Sequence, residues 1–181
     1  MPGNRQTYAC ATSVLAATAV FFSGAARAQQ VSATGYDNWG ANFVVVAVTA
    51  MVVCVCVLLH YEALSFLSRW LARLGGQHRR RVLFAIFGVL SVHIVEIWIF
   101  ALACTFLLLS RSFGTAHGYA GGILDGVYVS SMTFTTVGAG DAYLSGPIRF
   151  LVGTEALTGL VLITWSASFT FLEMERFWRD R

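Results

Sequence analysis

The sequence predicts an all-α membrane protein, with three helices that cross a bilayer and one short helix that cannot. Three observations carry this. Hydrophobic residues make up 57% of the 181 residues and charged residues only 12%, the balance of a lipid-embedded chain rather than a soluble domain. Sparsely charged apolar runs at 41–59, 82–110 and 147–172 are each long enough to cross ~30 Å of hydrocarbon. Between the last two, residues 123–134 have the character of a helix too short to span, and the stretch after it is too polar and glycine-rich to continue one.

In chain order, residues 1–28 read as a secretory signal: Arg5 supplies a positive start, an apolar run follows, and Ala26-Arg27-Ala28 offers the small residues a signal peptidase reads. The alternative is an uncleaved anchor. Either reading puts the polar segment 29–40 outside, with Trp39 at the interface. The first crossing, 41–59, is uncharged and lacks the arginine ladder of a voltage sensor. Residues 60–81 read as a cytoplasmic connector, because five arginines (Arg69, Arg73, Arg79, Arg80 and Arg81) face the single acid Glu62. Leu64, Leu67, Leu71 and Leu74, with Phe66 and Trp70 beside them, predict an amphipathic helix lying on the membrane surface and ending at Gly75-Gly76. Arg79, Arg80 and Arg81 also suit anionic lipid headgroups.

The second crossing, 82–110, carries His93 and Glu96 one turn apart near mid-membrane, where a charge costs several kcal/mol unless paired or neutralised. Two readings stand: a pair of metal ligands, joined by His60 or Glu62, or a hydrogen-bonded contact to a neighbouring helix. His60 and Glu62 are expected at a membrane edge, away from the pair. Residues 111–122 form an external loop. Asp125 suits the positive start of the 123–134 helix, a re-entrant element allowed at membrane depth only where it is buried or lines water. Ser130, Ser131 and Thr133 offer hydroxyls to the following backbone or to their own helix.

Residues 133–141 read Thr-Phe-Thr-Thr-Val-Gly-Ala-Gly-Asp. Glycine at alternate positions, Gly138 and Gly140, allows backbone conformations closed to other residues, so successive carbonyls can turn to one side and replace the water shell of a monovalent cation. Asp141 can concentrate cations by its charge, cap a helix or meet Arg149. In the last crossing, Gly153 and Gly159 allow bending or close approach, and Glu155 should face protein or water. Thr158, Thr164, Ser166 and Ser168 can wet a cavity wall. Residues 173–181 read as a charged cytoplasmic tail, with Trp178 at the interface. Cys10, Cys54, Cys56 and Cys104 lack zinc-ligand spacing and read as small apolar fillers. No basic patch interleaves with exposed aromatics, so nucleic acid is excluded as a partner.

The segment resembles the selectivity filter of the potassium-channel family, Thr-Thr-Val-Gly-Tyr-Gly-Asp. Thr135, Thr136, Val137, Gly138, Gly140 and Asp141 match; Ala139 departs from the aromatic. The resemblance covers 82–172. It implies a pore module of two crossings, a pore helix at 123–134 and a filter at 135–141, preceded by one extra membrane helix. It implies ion ligands in the carbonyls of Thr136, Val137, Gly138 and Ala139, with Gly140 completing the filter, Thr133 and Thr135 supporting it, Asp141 at the outer mouth and Gly159 near the hinge position. It further implies a homotetramer in the inner membrane, with the filter loop outside and the C-terminus in the cytoplasm. It implies potassium as the transported species at the filter carbonyls, with no fixed metal site and no cofactor. The family's aromatic props the filter from behind, so Ala139 raises a second reading, a weakly selective cation channel. Readings of other kinds are a membrane metalloenzyme using His93 and Glu96, and a non-conducting partner subunit.

Overall fold

The computed structural model describes residues 38–73, 78–118 and 121–179. The expected signal segment 1–28, the polar stretch before residue 38, Leu74, Gly75-Gly76 and the last two residues lie outside these, as do the side chains of Arg79, Arg176, Trp178 and Arg179. The chain is mostly helical. Its order is α1 (Trp39–Arg73), α2 (His78–Leu108), β1 (Thr115–His117), α3 (Ile123–Phe134), β2 (Tyr143–Ser145) and α4 (Arg149–Arg179). Among the described residues three helices, α1, α2 and α4, are long and apolar enough to cross a membrane, which fits a membrane protein.

α1 runs 35 residues without a break, about 50 Å at ~1.5 Å per residue. The boundary expected after Leu59 is absent, because neither glycine nor proline interrupts the chain between Leu59 and Arg73. The buried positions Thr49, Val52, Cys56, His60, Leu64, Leu67 and Leu71 follow one another at steps of three and four, a single stripe along one helix face. The expected surface-lying amphipathic helix is therefore the far half of a crossing helix. Leu67 and Leu71 pack on Ala85 and Val89 of α2 and on Phe169 of α4, not on lipid. α4 likewise carries through the expected tail to Arg179, and Ser68 of α1 donates to the buried Glu173 there, 3.4 Å away.

Lipid tails are as apolar as leucine, so helices in a membrane associate through close packing and polar contacts rather than by exclusion of water. Two further clusters show this packing. One joins Val45, Cys104, Leu107, Ile148 and Leu151 at the loop end; the other joins Val52, Cys56, Phe100, Phe134 and Leu162 in the middle. Cys56 and Cys104 are buried fillers, and the described cysteines are free thiols. The short helix α3, 12 residues long, packs on both α2 and α4. Asp125 accepts a hydrogen bond from the Gly122 amide, 3.3 Å away, closing the first turn. Two short strands, not expected from the sequence, join the loop before α3 to the return after it: β1 pairs antiparallel with β2, Thr115 opposite Ser145 and His117 opposite Tyr143. The His117 and Tyr143 rings stack at 4.7 Å. Three-residue strands are too brief to show alternation, which explains their invisibility in the sequence.

Candidate functional site

Two sites merit description: the loop leaving α3 and a polar cluster in the helix bundle. At the end of α3 the chain turns back on the helix. The amides of Thr135, Thr136 and Gly138 donate to the carbonyls of Ser131, Thr133 and Met132, at 3.1, 2.8 and 2.9 Å. These bonds satisfy the orphan carbonyls of the last helical turn. The left-handed conformations alternate: Thr136 at φ 60 and Gly138 at φ 80. The second expected glycine, Gly140, is not left-handed; Thr136 takes that role one step earlier in the alternation. A β-branched residue there costs ~1–2 kcal/mol, a strain of the kind concentrated at functional positions. No backbone hydrogen bond found in the described loops ends on a carbonyl between Thr136 and Gly140. Those oxygens stay open as acceptors.

Thr135, Thr136, Val137, Gly138 and Gly140 are exposed and Ala139 is half-buried; Val137 is 69% exposed despite being apolar. Asp141 accepts a hydrogen bond from the Tyr128 hydroxyl of α3, 3.2 Å away, rather than an ion pair from Arg149. The neighbouring carboxylate holds the Tyr128 phenol above its usual range, through that hydrogen bond first and its charge second. The expected hydroxyl support takes another form. Ser131 and Thr135 donate to carbonyls of α3, those of Tyr128 and Ser131, both at 2.7 Å. Thr133 is buried and supports the loop through its carbonyl. Thr158, Thr164 and Ser168 bond within α4.

Behind the loop stands α4. Glu155 is buried beside Ser130 of α3, and its Oε1 has no hydrogen-bond partner. It therefore faces protein, as expected. Gly159 lies directly on the end of α3: a β-carbon there would run into the Phe134 carbonyl oxygen, with the carbonyl carbon at 2.8 Å and the ring at 2.9 Å. Of the two expected roles for Gly159, close approach is the one this geometry supports.

The second site departs from the sequence reading. His60 is not held at an edge away from His93 and Glu96. Its Nδ1 lies 2.8 Å from Glu96 Oε1, and His93 Nδ1 lies 2.9 Å from Glu96 Oε2. One carboxylate bridges two imidazoles, and both His60 and Glu96 are fully buried. The other face of His60, Nε2, meets the buried Ser166 hydroxyl of α4 at 3.3 Å. The cause is the unbroken α1: pairing Leu67 with Gly88 in an antiparallel helix pair brings residue 60 level with residue 96. Glu62, two positions on, is exposed on another face. The signal lay in the leucine stripe, which continues backward from Leu64 at steps of four through His60 to Cys56.

No family model, curated protein or solved structure matches this chain.

Proposed function

We propose that this chain is one subunit of a passive, potassium-favouring cation channel, a homotetramer whose 135–141 loops meet on a shared axis. The single observation that carries this is the row of open carbonyls from Thr136 to Gly140, in a turn whose Thr136 and Gly138 amides are engaged with α3. Carbonyls at membrane depth need a partner, and rings of them replace the hydration shell of a cation. One chain supplies one strand of such a ring, and closed symmetry supplies the others. The exposed Val137 and half-buried Ala139 are consistent with surfaces that neighbouring copies cover. On this reading α3 is a re-entrant pore helix and α4 lines the path. The arginine-rich ends of α1 and α2 lie in the cytoplasm against anionic headgroups, the loop faces outward, and the host is the inner membrane.

The test is potassium flux from liposomes carrying the full chain. Wild type is expected to dissipate a potassium gradient, and Gly138→Asp to fall to the leak of empty liposomes. Gly138 needs its left-handed φ, and a carboxylate on the axis binds cations too tightly to pass them. Flux that is equal in the two proteins rejects the reading.

A specific observation favours lower selectivity within the same class: Ala139 carries no ring to prop the loop. Ala139→Tyr is expected to shift the reversal potential in mixed sodium and potassium toward potassium, raising the permeability ratio severalfold. An unchanged reversal potential would remove the packing argument.

A further inference from the structure

We infer that His60, His93 and Glu96 form a binding site for one divalent transition-metal ion of the zinc class, clamping α1 to α2. The inference goes beyond the channel reading and stands without it.

The donor atoms are already gathered. One atom from each of the three residues lies within 4.8 Å of the others, and both imidazoles point Nδ1 at the same carboxylate at 2.8 and 2.9 Å. The two rings are tilted by 33°, not stacked, at 5.4 Å between centroids. Bonds of ~2.0–2.1 Å in a tetrahedral arrangement put neighbouring ligand atoms about 3.3 Å apart. The two imidazole–carboxylate contacts therefore open by a few tenths of an ångström to admit the ion, and donor pairs further apart, all within 4.8 Å, close toward it.

Charge argues in the same direction. The bridging carboxylate lies within a spanning segment, where a negative charge is costly unless it is compensated. A dication compensates it. The donor set of two imidazole nitrogens and one carboxylate oxygen suits zinc, cobalt, nickel or copper, whereas magnesium and calcium require oxygen shells.

The surroundings are those of a metal-binding histidine. Such a histidine bonds a second group through its other ring nitrogen, and Ser166 stands 3.3 Å from His60 Nε2, supplied by a third helix. Coordination at Nδ1 requires the neutral tautomer that carries its proton on Nε2, and that N–H donates a hydrogen bond to the Ser166 hydroxyl. Trp165, 5.3 Å from His60, and Phe134, 5.8 Å from His93, wall the site with apolar rings. A mostly apolar cavity of about 410 Å³, lined by Val89, His93, Ile163, Ser166, Phe171 and Met174 among others, opens beside His93 and gives an ion a way in.

The experiment uses the full chain purified in detergent on a tag without histidine, stripped with chelator and titrated with zinc alone. Bound metal is counted after desalting. One zinc per chain is expected. Ser166→Ala is expected to weaken binding by ~10-fold or more, as loss of an outer-sphere partner does, and His60→Ala or His93→Ala to weaken it further. Cobalt in place of zinc, added to wild type alone, is expected to give the intense visible absorption of a four-coordinate ion, and this readout holds even if the variants do not fold. Wild type that retains no zinc and gives no such cobalt spectrum overturns the inference. So does a folded His60→Ala/His93→Ala double variant that holds as much zinc as wild type.

Discussion

Gly159→Ala is expected to lower the thermal midpoint of the purified protein by roughly 5–10 °C, the consequence of ~3 kcal/mol or more of overpacking. The reason is what the new methyl group meets. Its nearest neighbours are the backbone oxygen and carbon of Phe134 at the end of α3, and backbone cannot swing aside as a flexible side chain does. Relief requires α3 to part from α4, which moves the very turn on which the 135–141 loop is built. On the channel reading, flux is lost along with stability. Gly153→Ala on the same helix is the control, because a β-carbon there has nothing within 4 Å; its midpoint is expected to stay at the wild-type value. A Gly159→Ala protein as stable as wild type would return Gly159 to the role of a bending point.

Glu96→Ala is expected to be the most destabilising single change in the helix bundle. Breaking a buried charged pair costs ~3–5 kcal/mol, since the partners left behind are desolvated without compensation. Here two imidazoles lose one shared acceptor at once, and α1 loses its polar tie to α2. Glu96→Gln keeps the shape and one acceptor oxygen, so its loss is expected to be smaller, about 1–3 kcal/mol. Replacing all three residues with leucine is expected to recover most of the loss, because apolar packing of similar volume often matches a buried ionic network. Denaturant unfolding in detergent, followed by circular dichroism, ranks the variants. A Glu96→Ala protein that unfolds with wild type would show that the cluster does not hold α1 in place.

Much of the fold was legible. The apolar run at 41–59 is contained in α1, that at 82–110 overruns the end of α2 by two residues, and 123–134 matches α3, because hydrophobic length is a local property and Asp125 marks the start of the short helix. Helix ends were less legible. Rising charge density after Leu59 suggests an end to the first run, yet charges on one face do not stop a helix; only loss of helical geometry does. Arg69 shows the point, bonding back to the Ser65 carbonyl on its own exposed face. The loop's composition was legible, its conformation less so. Glycine was expected to supply both unusual backbone positions, but the need to cap α3 put Thr136 in one of them.

By itself the sequence determined the membrane character, the three spanning helices found among the described residues and the short helix followed by its glycine-containing loop, since each follows from composition or spacing along a few adjacent residues. Tertiary structure alone decided which side chains 36 or 106 positions apart would meet. His60 reaches Glu96 and Ser166 because three long helices pack in one register, and Gly159 touches Phe134 because a bare backbone lets α4 approach α3. Such meetings depend on the rotation and sliding of whole helices against one another, which no local pattern encodes.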